Sequence, residues 1–167
     1  IAFIQCAGSR DVNHLPYCST VCCSTSLKHA LTLSEHYPES ESEIFYIDLR
    51  LAGRNENLLN RAQSAQRITL TKGKVGRIKP MNDKKELILE VEDIKSATRR
   101  QDSFDMVVLA MGMTPAPLAA DLQANEYGFY LPDQLSGLIP TATCKRPMDV
   151  SSSVKDATAS ALKAMQR

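Results

Sequence analysis

Short apolar runs alternate with segments whose apolar positions recur every three or four residues, and this alternation predicts the elements. Ile1–Ile4 is an apolar run that ends in Gln5-Cys6-Ala7-Gly8-Ser9-Arg10, a strand entering a turn. From about Tyr17 to His36 the spacing of Leu27, Ala30, Leu31 and Ser34 predicts a helix, stopped by Pro38. Glu43–Asp48 reads as a second strand, apolar at its centre as a buried parallel strand would be. Asn57–Gln66 reads as a helix and Ile68–Leu70 as a third short strand. Lys74–Ile78 and Leu87–Val91 read as antiparallel strands joined by the turn Met81-Asn82-Asp83-Lys84. Lys95–Ser103 is polar and reads as a hairpin loop, and Met106–Ala110 as a central strand ending at Met111-Gly112-Met113. A strand is expected again within Leu138–Thr143. In the last helix Val150, Val154, Ala157, Ala161 and Met165 share one face, and Ser151–Ser153 offer caps for its first turn.

Strand and helix in alternation, then an antiparallel excursion and a final strand, predict an α/β, Rossmann-like three-layer nucleotide-binding domain. The 167 residues suffice for one domain with an appendage. A net charge of +1 and the absence of tryptophan argue against a nucleic acid partner. No run approaches the roughly 20 apolar residues of a membrane span, so direct membrane insertion is not expected. The chain starts at Ile1, inside an apolar run, and reads as a piece of a longer protein without a secretory leader.

Four of the five cysteines fall within the first 23 residues, which points to metal binding or redox chemistry more than to a disulfide framework. Their spacing is C-x11-C-x3-C-C, from Cys6, Cys18, Cys22 and Cys23. On a continuous helix Cys18 and Cys22 would share a face, with Cys23 about 100° further round. Cys6, at a strand end, would face the helix start. Four thiolates there suit a soft tetrahedral demand, either a 4Fe–4S cluster or zinc, with the helix dipole offsetting the negative charge. The competing reading is of packed or reactive thiols. His14 is a weaker candidate in the same loop, while His29, His36 and Cys144 are given no role.

A dinucleotide site would carry G-x-G-x-x-G after the first strand, but here only Gly8 stands in a lengthened turn. Asp48 ends the second strand where a ribose-binding acid would stand, yet lies about 40 residues on instead of about 20. Arg50 and Arg54 are available to a phosphate. A nicotinamide site is therefore not favoured.

Several segments together resemble the A subunit of heterodisulfide reductase and, more closely, that of its relative in the quinone-interacting membrane-bound oxidoreductase complex. They are Ile4–Asp11, Tyr17-Cys18-Ser19-Thr20-Val21-Cys22-Cys23, Phe45–Arg50, Asp105–Met113 and Pro147–Val150 with Ser153-Val154. The resemblance implies a thioredoxin-reductase-like flavoprotein, with a nicotinamide-type domain at 1–114 and the C-terminal part of an FAD domain at 115–167. It implies a 4Fe–4S cluster on Cys6, Cys18, Cys22 and Cys23. It also implies FAD near Gly112, Met113, Asp149, Val150 and Ser151, although the glycine expected after Leu138–Thr143 is replaced by Ala142. The FAD half with its pyrophosphate loop is absent, so this piece alone is expected to be inactive and to hold neither cofactor dependably.

The function so implied is an FAD-dependent oxidoreductase subunit, cytoplasmic or peripheral to a membrane through its partners. It would pass electrons between FAD and iron–sulfur centres among the other subunits of a complex, and a homodimer is a further expectation. Two readings stand against it: a thiol–disulfide oxidoreductase using Cys22 or Cys23, and a non-catalytic docking module.

Overall fold

A computed structural model describes residues 1–51, 53–81, 85–116, 122–132 and 137–166. They form two compact units: Ile1–Tyr17 with Cys22–Gly112, and Cys18–Val21 with Met113–Arg167.

The first unit is built on β1 (Ala2–Ile4), α1 (Cys22–His36), β2 (Ser42–Tyr46), α2 (Glu56–Ser64), β3 (Ile68–Pro80), β4 (Leu87–Asp93), β5 (Thr98–Phe104) and β6 (Val107–Leu109). The strand order is β5-β4-β3-β2-β1-β6, with β6, β1, β2 and the first part of β3 parallel. The antiparallel excursion is β3-β4-β5.

Alternation along the parallel strands divides the core into two. Phe3, Ile44 and Ile68 point to the helix side and pack with Leu27, Ala30, Leu31 and Ala62. Ala2, Ile4 and Phe45 point the other way and pack with Leu89 and Val91 of β4. Phe45 meets Phe104 edge-on, with ring centroids 5.9 Å apart. Helices thus pack on one face of the parallel strands and β4 of the antiparallel excursion on the other.

Four expectations are corrected. Ile68–Leu70 and Lys74–Ile78 are one strand, β3, which bends through a bulge between Val75 and Arg77. Thr98–Phe104 is a strand and not a loop: as the edge of the sheet it is mostly exposed, so it carries no apolar alternation, while its backbone pairs in full with β4. β6 lies at the opposite edge and not centrally, with Leu109 46% exposed. Leu138–Thr143 holds no strand; a short 3-10 turn, Ala142–Cys144, stands at its end. The expected turn residues Asn82, Asp83 and Lys84 lie outside the described residues.

In the second unit α3 (Val150–Met165) has the expected length. Its cap is Asp149, whose carboxylate accepts from the Ser152 N–H at 2.7 Å, and not the serine run. Its apolar face is exposed, with Val150 at 81% and Met165 at 82%.

Candidate functional site

Cys6 stands just past β1, in the turn that replaces a glycine-rich loop. Its φ of 57° is left-handed, as are Arg10 at 57° and Gly8 at 102°. That conformation is open to glycine and costs other residues about 1–2 kcal/mol each. The lengthened turn is a folded loop with its own bonds. Leu15 N–H donates to Gly8 C=O, Arg10 N–H to Tyr17 C=O and Asp11 N–H to Leu15 C=O, each at 3.1 Å. Ser9 Oγ donates to the Met111 carbonyl at 2.8 Å, and Ala7 N–H donates to Ala110 C=O. These bonds fix the turn against the end of β6.

The helix starts at Cys22, later than its pattern suggests. Thr20, at φ 60°, breaks any continuation towards Cys18. The shared helical face of Cys18 and Cys22 therefore does not exist. Cys18 precedes the helix, in the segment that belongs with the second unit, and its Sγ accepts from the Thr20 N–H at 3.4 Å. Cys22 and Cys23 instead open α1, where backbone N–H groups lack helical partners and the dipole is positive. Cys22 is half-buried and Cys23 buried, and the Cys23 Sγ lies 4.0 Å from the Asp48 carbonyl oxygen. All five cysteines are described, and none is in a disulfide. No group of three His, Cys, Asp or Glu among the described residues is gathered tightly enough to hold a metal ion.

Asp48, just beyond β2, joins the parts of this edge. Its carboxylate takes a salt bridge from the Arg10 guanidinium on one oxygen and from Arg50 on the other, the latter at 3.1 Å. Burial pushes the Asp48 carboxyl up, but the hydrogen bonds from Arg50 and Arg10 outweigh it and hold it below 3.8, its ordinary value. Arg10 also hydrogen-bonds the Cys6 side chain, after its stronger bond to Asp48, and both raise its own pKa. An acid with two arginines on it is not free for a ribose. Arg10 was not singled out from the sequence; the signal was a cation four residues past a cysteine with an acid ending the next strand.

Gly112 has a φ of 105°, and Met113 donates its N–H to the buried Ser19 hydroxyl at 2.8 Å. Asp149 is held below the ordinary carboxylate value by the Ser152 side chain and N–H. Val150 and Ser151, at the start of α3, are exposed. Ala142 takes φ 54°, a glycine-like backbone at the position where a glycine is expected. His14, the weaker candidate of the loop, is exposed, and His36, which has no assigned role, has its Nδ1 2.9 Å from the Thr32 carbonyl.

No family model matches the chain. Among curated proteins it is 33% identical to a CoB–CoM heterodisulfide reductase iron-sulfur A subunit of Methanopyrus kandleri, the one numbered 2, over 98% of this chain and 28% of that one. It is 32% identical to the A subunit of the ferredoxin:CoB–CoM heterodisulfide reductase of Methanosarcina acetivorans, over 98% of this chain and 22% of that one. A heterodisulfide reductase A-subunit-like protein of Archaeoglobus profundus is 32% identical over 99% and 26%. The chain belongs to the heterodisulfide reductase A-subunit family. It spans about a quarter of the length of these relatives. Thioredoxin reductases share its fold: that of Lactococcus lactis at a TM-score of 0.65 and 15% identity, over 99% of this chain and 51% of that one. The T. acidophilum thioredoxin reductase follows at 0.64 and 13%, with the same coverage. No helix among the described residues of this heterodisulfide reductase A-type chain is long and apolar enough to cross a membrane.

Proposed function

We propose that this chain is the cluster-bearing part of an electron-transfer flavoprotein subunit in a heterodisulfide reductase-like complex, the quinone-interacting relative included. The observation that carries the reading is the seating of three thiols in one unit. Cys6 follows β1 beside Arg10, and Cys22 and Cys23 open α1. Cys18 is four residues from Cys22, within about 14 Å even for extended backbone. The donor set fits an iron–sulfur cluster in number and softness, and a helix N-terminus with a guanidinium beside the thiols fits its negative charge. Cys6, Cys18, Cys22 and Cys23 would hold a 4Fe–4S cluster, which supplies one-electron transfer when bound. What the chain itself contributes is four candidate ligand thiols, a cation at Cys6 and a hydrogen-bonded turn that holds Cys6.

For FAD the candidates are Gly112, Met113, Asp149, Val150 and Ser151. The exposed first turn of α3 fits a group that gains negative charge on reduction. Residues 1–114 would be the nicotinamide-type domain and 115–167 the returning part of the FAD domain, with the remainder of the polypeptide and its partners completing the electron path.

The test is iron and acid-labile sulfide per chain, on anaerobically prepared full-length protein. About four of each beyond any other cluster, lost in Cys22→Ser, is the expected result. The rival is thiol–disulfide exchange at Cys22, favoured by its position at the first residue of α1. No iron, with bound flavin and one thiol reactive at neutral pH, would establish that rival.

A further inference from the structure

The ion pair of Arg10 and Asp48 reaches two of the candidate ligands. The Asp48 carboxylate is held by the Arg10 and Arg50 guanidiniums, while the backbone carbonyl oxygen of the same residue lies 4.0 Å from the Cys23 Sγ. Arg10 stands four residues past Cys6 in the same hydrogen-bonded turn, and its guanidinium also bonds the Cys6 side chain. Its side chain is 23% exposed against 51% for Arg50, so it is the less screened of the two cations. Two guanidiniums against one carboxylate leave the group one net positive charge.

The turn does not need that charge to close. Its bonds run from backbone to backbone, Leu15 N–H to Gly8 C=O and Arg10 N–H to Tyr17 C=O, and any side chain at position 10 leaves them available. What the guanidinium adds is a fixed cation at a thiol.

We propose that Arg10 raises the reduction potential of the cluster held at Cys6, by keeping a cation against that ligand sulfur. This rests on the cluster reading above. One-electron reduction adds a negative charge to a thiolate-ligated cluster without making or breaking a bond. A cation at a ligand sulfur therefore stabilises the reduced form more than the oxidised one. Asp48 works in two ways: it holds the guanidinium in place, and its own charge offsets part of the effect.

An EPR-monitored redox titration of anaerobically prepared, cluster-loaded full-length protein tests this, with iron counted per chain. The relevant signal is the one lost in Cys22→Ser. Arg10→Met is expected to lower the reduced-to-oxidised ratio at a fixed potential about threefold to tenfold, a downward shift of about 30–60 mV at 59 mV per tenfold. Arg10→Lys keeps the charge and should retain most of the wild-type potential. Asp48→Asn removes the opposing charge while Arg10 keeps its bond to Cys6, and should shift the potential upward. A clasp that matters only for structure would move Arg10→Met and Asp48→Asn in the same direction. Should Arg10→Met take up no iron, the sign of the Asp48→Asn shift decides, an upward shift supporting the proposal and any other result overturning it. An unshifted potential in iron-loaded Arg10→Met, or shifts of one sign in both variants, overturns the proposal and leaves the cluster reading standing. A wild type without iron overturns both.

Discussion

Arg10 clasps the Asp48 carboxylate while also hydrogen-bonding the Cys6 side chain. One guanidinium therefore ties the turn after β1 to the end of β2 and places a permanent positive charge at a thiol. A cation favours the thiolate over the thiol, and each pKa unit is worth about a factor of ten in thiolate fraction below the pKa. In metal-free protein Arg10→Met is expected to slow alkylation of Cys6 at neutral pH severalfold, with Arg10→Lys slowing it less. Time-resolved labelling mapped by mass spectrometry checks this. An unchanged Cys6 rate would show that the guanidinium does not govern the thiol.

Asp48 makes the clasp depend on pH. Its folded-state pKa lies below the ordinary 3.8, so the clasp contributes fully above that value and is lost as pH falls through the folded one. Wild-type stability should therefore decline below about pH 4 in part through Asp48. Asp48→Asn should remove that part of the decline, and should cost some stability at neutral pH. Denaturation at pH 7 and pH 3 measures both. An identical acid slope in the variant would exclude Asp48 as a contributor.

The two cysteines at the head of α1 differ in access, and metal-free protein should show it. Cys22 is half-buried at the first helical residue, while Cys23 is 7% exposed against the Asp48 carbonyl. A helix N-terminus lowers thiol pKa only usefully where reagent can reach the sulfur. Cys22 is expected to label at least several times faster than Cys23 with a small alkylating agent at pH 7. Faster labelling of Cys23 would refute the arrangement.

Much of this was legible in the sequence, and the failures share a physical cause. Buried elements declared themselves: Phe3, Ile44 and Leu27 carry apolar periodicity because they face a core. Thr98–Phe104 did not, because an edge strand is held by backbone pairing and most of its side chains face water. The helical pattern was carried back past Cys18, whereas α1 starts at Cys22, since the left-handed backbone of Thr20 has no signature in its side chain. Arg10 was passed over for a different reason. Its role comes from a neighbour 38 residues away.

Asp156 ties α3 to the turn before it. Its carboxylate accepts from the Ala142 N–H at 2.7 Å, from Thr141 Oγ1 at 3.1 Å and from Lys145 Nζ at 2.6 Å. Hydrogen bonding from Lys145 first, then Ala142, holds it below the ordinary carboxylate value. Asp156→Asn keeps the shape but loses the charge, and is expected to cost about 1–2 kcal/mol at pH 7. The difference should shrink below pH 4, where wild-type Asp156 begins to be protonated as well. Urea denaturation at the two pH values tests this, and a pH-independent difference would point to shape instead of charge.

The bonds to Asp156 hold Ala142 at φ 54°, where its Cβ is strained. Ala142→Gly removes a penalty of about 1–2 kcal/mol in the folded state. It also adds about 0.4–1 kcal/mol of unfolded-chain entropy to be overcome. The balance favours the folded state, so the variant is expected to be more stable by about 0.5–1 kcal/mol. Ala142→Val should be destabilised, because a β-branched side chain tolerates this backbone still less. Both are read in equilibrium denaturation of the full-length protein at pH 7. A glycine variant less stable than the wild type would mean that the left-handed turn is not populated. The Asp156 network would then have to stabilise the helix through Thr141 and Lys145 alone.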